Sequence, residues 1–167
     1  MTTDQQTRLD RLESAEAIRQ LVSRYSDAVD RSDLEALGVL FVEDVKTVFA
    51  GPAGQAVVEV GREPLKRWFG ATPAFGQPRA HMVGNHVIDF TGPDTATGVV
   101  YCQAFVRAAG TGDWTRTLLK YLDRYVRRDG RWMFHSRKPV VWHVAEVSLL
   151  PDADPMGDAQ RASRRDA

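Results

Sequence analysis

The stretch from His81 to Val144 decides the fold. It contains four long runs: HMVGNHVIDF (81–90), TATGVVYCQAFVRA (95–108), WTRTLLKYLDRYVRR (114–128) and RWMFHSRKPVVWHV (131–144). The breaks between them, TGPD, AGTGD and RDG, have turn chemistry, so the stretch predicts an antiparallel meander of four strands. Strands this long exceed the usual five or six residues. We therefore expect strong twist or bulges, with Gly84 and Gly98 as candidate positions.

Helices and a hairpin are predicted before the meander. From Leu9 to Val29 the apolar residues recur at steps of three and four, which indicates an amphipathic helix with one buried stripe. Ser14 could cap it, although the helix could begin earlier. Asp33 is placed to cap a second, short helix in DLEALGVLF. The segments VKTVFA and QAVVEVG predict two short strands, and REPLKRWFG predicts a third helix.

This order of elements predicts an α+β domain, with the helices toward one end of an antiparallel sheet. A curved sheet wrapped around the long N-terminal helix encloses a cone whose mouth can carry polar residues. Hydrophobic residues make up 43% of the chain and charged residues 26%, which fits one globular domain over residues 1–150. Residues 151–167 have almost no large apolar side chains and are predicted to form a flexible tail.

Charge and motif content narrow the possible partners. Lys+Arg and Asp+Glu each number 22, so no net charge favours nucleic acid or anionic lipid. The absence of a long apolar run predicts no membrane span, and the N-terminus lacks the apolar core of a signal peptide, so a cytoplasmic location is expected. Cys102 is expected to be inert in a strand. No phosphate loop, GxSxG, CxxC or zinc-ligand spacing occurs, so neither cofactor nor metal is expected.

Four segments, taken in order, resemble a known family. They are IRQLVSRYSDAVDRSDLEALGVLFVED (18–44), GREPLKRWF (61–69), RAHMVGNHVIDF (79–90) and KYLDRYVRRDGRWMFHSR (120–137). Over about residues 9–144 the chain resembles the SnoaL-like branch of the nuclear transport factor 2-like (NTF2-like) superfamily. This branch includes polyketide cyclases, scytalone dehydratase, a bile-acid dehydratase and hexachlorocyclohexane dehydrochlorinase. Dioxygenase beta subunits share the cone without doing chemistry, so the resemblance implies the fold more strongly than an activity.

The resemblance also implies site residues. In the dehydratase-type members, an Asp just past the first helix and a His before an Asn on the third strand form an acid-base dyad. These positions correspond to Asp30 and His81. A pocket Tyr of the bile-acid enzyme resembles Tyr25, and an Arg on the last strand corresponds in kind to Arg137. From the residues alone, Asp30 could instead be a solvated turn residue, and His81 an exposed residue at the start of a strand.

Strand alternation adds further candidates. It places four residues on one face: His81, Val83, Asn85 and Val87. Asn85 could therefore reach the cavity beside His81, or it could make a structural hydrogen bond, whereas His86 is expected in packing or on the surface. Tyr121 could face the cone as a substrate-binding residue, or serve in the core or an interface. Arg137, if it faces inward, could bind a substrate carboxylate or a developing oxyanion; otherwise it forms a surface ion pair.

The function predicted from these residues is that of a cofactor-independent lyase of dehydratase type. His81 would remove a proton from a small hydrophobic, ring-containing or steroid- or polyketide-like substrate, and Asp30 would orient the imidazole. The expected apolar wall comprises Val83, Val87, Trp68, Phe69, Val99 and Phe105. An isomerase or cyclase could use the same dyad, and a non-catalytic binding or scaffold subunit is the alternative from another class. A homo-oligomer, dimer or trimer, is expected because Trp132, Phe134 and Trp142 would otherwise be uncovered on the convex back of the sheet.

Overall fold

The computed structural model of the protein describes residues 2–50 and 56–147. The predicted tail at 151–167 and the last residues of the predicted domain lie outside these ranges. The elements follow in chain order: α1 (Thr3–Asp30), α2 (Leu34–Gly38), β1 (Lys46–Ala50), β2 (Ala56–Val60), α3 (Arg62–Ala71), β3 (Arg79–Gly92), β4 (Thr95–Arg107), β5 (Trp114–Arg128) and β6 (Arg131–Val147).

Helix α1 begins well before the predicted cap at Ser14. Thr2 caps it in a capping box: its hydroxyl accepts from the Gln5 backbone N–H at 3.3 Å, and the Gln5 side chain accepts from the Thr2 backbone at 2.9 Å. Ser14 is buried inside the helix instead. The apolar stripe did not mark the true start because the first turns extend past the core, where Leu12 is 70% exposed.

The predicted hairpin and meander are confirmed. Strands β1 and β2 form a two-stranded antiparallel sheet, and β3-β4-β5-β6 form a four-stranded antiparallel sheet in sequence order. Asp33 caps α2 as predicted, since its carboxylate accepts from the Ala36 backbone N–H at 2.9 Å. The curved four-stranded sheet and the long helix α1 form the predicted α+β cone.

Bulges interrupt the sheet, but at only one of the two predicted glycines. The register of β3 against β4 shifts between Val83 and His86, the stretch that contains Gly84. Gly98 pairs regularly with Ile88 and Asp123. A Cβ atom at Gly98 would lie 2.7 Å from the Tyr125 ring, so this glycine makes room for an aromatic side chain rather than a bulge.

The core lies between α1 and the concave face of the sheet. The largest fully buried side chains there include Ile18, Val22, Val100, Tyr125 and Phe134. The prediction that Trp132 and Phe134 lie on the convex back is wrong, because both are buried in this core. A register shift between Phe134 and Ser136 leaves one extra residue in β6, so alternation counted back from Trp142 gives the wrong face for this part of the strand.

The convex back of the sheet nevertheless exposes apolar side chains. Met82, Tyr101 and Trp142 border one shallow depression there, and the Tyr101 and Trp142 rings lie 5.4 Å apart. Trp142 is 52% exposed and Met82 is 60% exposed. We call these three residues the outer patch. Within the described residues, no helix combines the length and apolarity needed to cross a membrane.

We propose that the protein is a dimer or trimer in which the outer patch is covered. Trp142→Lys would place a charge there and should shift the mass measured by light scattering at micromolar concentration toward the monomer. Leu12→Lys is the matched control, because Leu12 is an exposed apolar residue on α1 that does not border the depression of the outer patch. A monomeric wild-type protein at this concentration would refute the proposal.

Candidate active site

Asp30 and His81 are brought together where the end of α1 meets the start of β3. The carboxylate oxygen Oδ1 of Asp30 lies 2.6 Å from His81 Nδ1, and Oδ2 accepts from the His81 backbone N–H at 2.9 Å. Both oxygens therefore contact one residue. When Asp30 is ionised, Nδ1 carries the ring hydrogen and Nε2 is left as the basic nitrogen.

The local sequence explains why Asp30 is available for this contact. The neighbouring Arg31 pairs with Asp27 at 3.0 Å and Asp33 at 3.4 Å, and the cap of α2 is supplied by Asp33. Asp30 is thus neither the partner of Arg31 nor a helix cap. A carboxylate at a helix C-terminus is unfavourable for the helix dipole, so its contacts with His81 offset that cost.

His81 borders a cavity of about 220 Å³ between α1, α3 and the sheet. Asp30 stands behind the imidazole rather than in the wall. The polar lining is His81, Tyr25, Thr72, Arg79, Tyr121 and Arg137. The apolar lining is Val29, Phe41, Leu65, Trp68, Phe69, Phe75, Val106 and Pro139. The cavity is therefore mainly apolar, with a few polar groups that converge on one space.

The predicted apolar wall is only partly correct. Trp68 and Phe69 line the cavity as expected. Val99 and Phe105 do not, because β4 turns its even-numbered residues inward, among them Val100 and Ala104, which are buried in the core. Of the two remaining valines, Val83 packs against the core and Val87 is 53% exposed.

Asn85 does not line the cavity, contrary to prediction. The bulge between Val83 and His86 adds one residue to β3, so the alternation set by His81 reverses after it. Asn85 is consequently exposed and borders the depression on the convex back beside the outer patch. His86 turns inward in its place. Gly84 was the one feature of the sequence that could have indicated this reversal.

Arg137 faces inward and borders the cavity, but it is held by a buried ion pair. Its Nε and Nη2 donate to the two carboxylate oxygens of Asp123 at 2.9 and 2.7 Å. Its guanidinium carbon lies 4.1–4.3 Å from the ring centres of Tyr25, Tyr121 and Phe134. Burial alone would lower the pKa of Arg137, but the charge and hydrogen bonds of Asp123 raise it above its usual value.

The ion pair belongs to a longer buried network. The Tyr125 hydroxyl donates to Asp123 at 2.7 Å and lies 3.1 Å from Nε2 of His86. Since that hydroxyl hydrogen is already used, the His86 nitrogen is the donor to the phenol oxygen. Burial lowers the pKa of His86, so the neutral ring is favoured. No pattern in the sequence indicated these pairings, because Asp123 and Arg137 lie on different strands.

Tyr25 and Tyr121 both line the cavity, with ring centres 5.9 Å apart. Burial raises the pKa of each phenol, so both keep their hydrogen near neutral pH. A protonated phenol can donate a hydrogen bond to a substrate oxygen. The structure therefore places both residues in the cavity wall, and their substrate-binding role stays a prediction.

Arg79 is a lining residue that the sequence interpretation missed. It stands two residues before His81 on the same face of β3, a spacing that could have revealed it. Its side chain donates to the backbone carbonyls of Gln77 (3.1 Å) and Ala74, and its guanidinium carbon lies 5.1 Å from the Phe75 ring centre. It brings a second positive charge to the cavity wall.

Cys102 lies on β4 with its side chain in the core. Cys102 is buried, and burial raises the pKa of its thiol to about 11, as expected for an inert cysteine. Among residues 2–50 and 56–147, no three His, Cys, Asp or Glu side chains cluster closely enough to hold a metal ion.

The fold and the cavity together define a class: small α+β cones that enclose a mainly apolar cavity, here bordered by a histidine whose ring contacts an aspartate. A family model described as a SnoaL-like domain matches residues 10–138, and the chain belongs to this family. The resemblance noted in the sequence is thereby confirmed. No curated protein matched in a sequence comparison.

The fold of the chain is similar to those of several solved structures. A hexachlorocyclohexane dehydrochlorinase, LinA type 3, from Novosphingobium barchaimii superposes with a TM-score of 0.75 at 21% identity, covering 86% of this chain and 99% of its own. A candidate scytalone dehydratase from Novosphingobium aromaticivorans gives 0.73 at 23% identity, covering 87% and 98%. An NTF2-like protein from the same species gives 0.66 at 24% identity, covering 94% and 96%. At such identities the likeness establishes the fold.

Proposed function

We propose that this protein is a cofactor-independent lyase of dehydratase type that acts on a small ring-containing compound, with His81 as the base. One observation carries the proposal: the His81 imidazole borders the cavity while its Nδ1 is held by Asp30 at 2.6 Å. This arrangement presents Nε2 as a proton acceptor to whatever occupies the cavity. A subunit that only binds or supports a partner has no need of this pairing.

The proposed reaction removes water across a carbon-carbon bond. His81 Nε2 takes a proton from the carbon beside an activating carbonyl, and the electrons of the C–H bond pass into the carbonyl to give an enolate. The enolate electrons then form the double bond to the β-carbon as the C–O bond of its hydroxyl breaks, and the departing hydroxide takes the proton from the imidazolium and leaves as water. Asp30 keeps the tautomer and stabilises the imidazolium between the two steps. Tyr25 and Tyr121 donate hydrogen bonds to the activating carbonyl as it gains negative charge.

The cavity favours a compact substrate. Its volume of about 220 Å³ and its wall of aromatic and aliphatic side chains suit a compound of one or two rings better than a steroid. Two solved structures with this fold are named a dehydrochlorinase and a candidate dehydratase. Both names denote elimination enzymes, which supports a lyase. An isomerase would use the same base but would return the proton to another substrate carbon, whereas in a cyclase the deprotonated carbon would bond to a second carbonyl and the proton would go to its oxygen.

The product distinguishes these reactions. The wild-type protein should be incubated in deuterated water with a panel of β-hydroxy carbonyl compounds bearing one or two rings. A lyase yields a product that has lost one water by mass spectrometry, whereas an isomerase yields a product of unchanged composition with solvent deuterium on carbon. Deuterium exchange without elimination across the panel would favour the isomerase and refute the lyase.

The role of Asp30 gives a prediction that separates orientation from folding. Asp30→Asn keeps the volume but removes the charge that fixes the tautomer of His81, so turnover should fall about 10–10⁴-fold, the range for removal of a carboxylate that orients an imidazole. The melting temperature and the apparent substrate affinity should stay near wild type. Asp27→Asn is the matched control, because Asp27 is an exposed carboxylate on the preceding turn of α1 that contacts Arg31. Equal turnover in wild type and Asp30→Asn would remove Asp30 from the mechanism.

A further inference from the structure

Two guanidinium groups border the cavity, and they differ in how their charge is balanced. Arg137 is paired with Asp123 through two hydrogen bonds. Arg79 has no carboxylate within ion-pair distance among the described residues. The nearby Asp30 acts on it only electrostatically, since both Asp30 oxygens contact His81. The cavity thus has a cation whose charge lacks a direct partner.

The contacts of Arg79 hold its guanidinium in place without neutralising it. Nε and Nη2 donate to the carbonyls of Gln77 and Ala74, and the group lies near the Phe75 ring. These two donors form one edge of the planar group. The end of the group is formed by the second N–H of Nη2 and the adjacent N–H of Nη1, and Nη1 makes no hydrogen bond with the part of the chain that the structure describes. Burial lowers the pKa of Arg79, yet an arginine keeps its charge near neutral pH.

We propose that Arg79 is the anion-binding residue of the cavity and that the substrate carries a carboxylate. This inference builds on the proposed function, because it names a chemical class for the substrate of the same site. Two adjacent N–H groups on a guanidinium end match the two oxygens of a carboxylate. Residues two apart on a strand lie about 7 Å apart, so an anion on Arg79 would leave the neighbouring carbons of a ring compound within reach of His81.

The proposal also explains why the arginine contacts backbone carbonyls. A partly buried cation without a counter-charge is costly, and a bound carboxylate would remove that cost. The carbonyls of Ala74 and Gln77 satisfy two donors but bring no negative charge, so they fix the group and leave it able to bind an anion. Arg137 also leaves Nη1 without a hydrogen bond among the described residues, but Asp123 already balances its charge. Arg79 is therefore the residue that would select a negatively charged ligand.

Binding of matched probes tests the inference without an assay of turnover. Benzoate and benzamide have nearly the same shape but differ in charge, and their dissociation constants can be measured by NMR titration of the full chain while the His81 ring signals report occupancy of the cavity. Wild type should bind benzoate about 10–100-fold more tightly than benzamide, as expected for a charged hydrogen-bonded pair. Arg79→Gln should abolish this preference, and Arg79→Lys should retain part of it.

A neighbouring arginine supplies the control. Arg107 is exposed at the end of β4 and also donates to a loop carbonyl, that of Gly112, but it does not line the cavity. Arg107→Gln should keep the preference for benzoate. If Arg79→Gln melts early because its loop is disturbed, the wild-type ratio and Arg79→Lys still decide the question.

Two outcomes would overturn the proposal: equal or undetectable binding of benzoate and benzamide by wild type, or an unchanged preference in a folded Arg79→Gln. Failure of the proposed function looks different. The preference for benzoate should survive in His81→Gln, where the indole signals of the cavity-lining Trp68 report occupancy instead. A charge-selective cavity with no elimination activity would therefore refute the lyase and leave the role of Arg79 intact. Elimination of charged and uncharged substrates at similar rates would support the lyase and refute the role of Arg79.

Discussion

Replacing His81 with Gln should lower turnover about 10²–10⁴-fold, the usual contribution of a positioned general base. Gln is close to His in size and can still hydrogen-bond with Asp30, so the fold and the cavity should be preserved. It cannot accept a proton from carbon near neutral pH. The measurement is kcat on a substrate identified from the β-hydroxy carbonyl panel, together with the melting temperature of each variant.

The control for this variant is another histidine of the same sheet. His143 is exposed on β6 and lies outside the cavity lining, so His143→Gln should leave turnover unchanged. If His81→Gln retained full activity with its melting temperature unchanged, the base would have to be another group, and the mechanism proposed for the cavity would be wrong.

A double variant tests whether Asp30 acts through His81. Because Asp30 contacts His81 through both carboxylate oxygens and stands behind it, its effect on the reaction should depend on the imidazole. Once His81 is Gln, the further change Asp30→Asn should cost little, since residues that act as one unit are non-additive. Fully additive losses would mean that Asp30 contacts the reaction independently.

The sequence predicted the elements well because their patterns are local. The stripe of α1, the cap at Asp33 and the turns between the long strands all depend on residues within a few positions of one another, and each was found where expected. The start of α1 was missed for the opposite reason. Its first turns are polar and solvent-exposed, so they are defined by the hydrogen bonds of Thr2 and Gln5 rather than by burial.

The faces of the strands were harder to predict, because a single extra residue reverses them. Alternation held from His81 to Val83 and failed at Asn85, once the bulge at Gly84 had shifted the register. The same effect misplaced Phe134, and it separates the outward-facing His135 from the inward-facing Arg137. The resemblance to the family paired Asp30 with His81 independently of strand alternation, and the two side chains are indeed in contact.

Arg137 shows what sequence alone could not supply. Its inward orientation was one of two alternatives, but its partner Asp123 lies on β5, opposite it in the strand register. The side chains of Arg137 and Asp123 are 4% and 0% exposed, so neither charge is solvated by bulk water. The main role of the pair is therefore structural: it forms part of the cavity wall and holds the Tyr25 and Tyr121 rings in place. Its removal should lower the free energy of unfolding.

Arg137→Met should lower the free energy of unfolding by about 3–5 kcal/mol, the typical cost of leaving one member of a buried ion pair without its partner. The variant keeps an unbranched side chain of similar length among the rings of Tyr25, Tyr121 and Phe134, so loss of packing is small. The Asp123 carboxylate, however, loses its counter-charge and keeps only the hydrogen bond from Tyr125. Urea unfolding followed by circular dichroism measures the difference.

The compensating variant separates a charge effect from a packing effect. Asp123→Leu in the Arg137→Met background removes the stranded carboxylate, and replacing both members of a buried pair with apolar residues is often close to neutral. The double variant should therefore recover most of the lost stability, although the Tyr125 hydroxyl then keeps only its contact with His86. Arg31→Met, which breaks the exposed pair with Asp27, should change stability little and serves as the control. If the double variant were no more stable than Arg137→Met, the loss would come from packing around the three rings. Arg137 would then stabilise the cavity wall mainly by packing between the three aromatic rings, and its ion pair with Asp123 would contribute little to the free energy of unfolding.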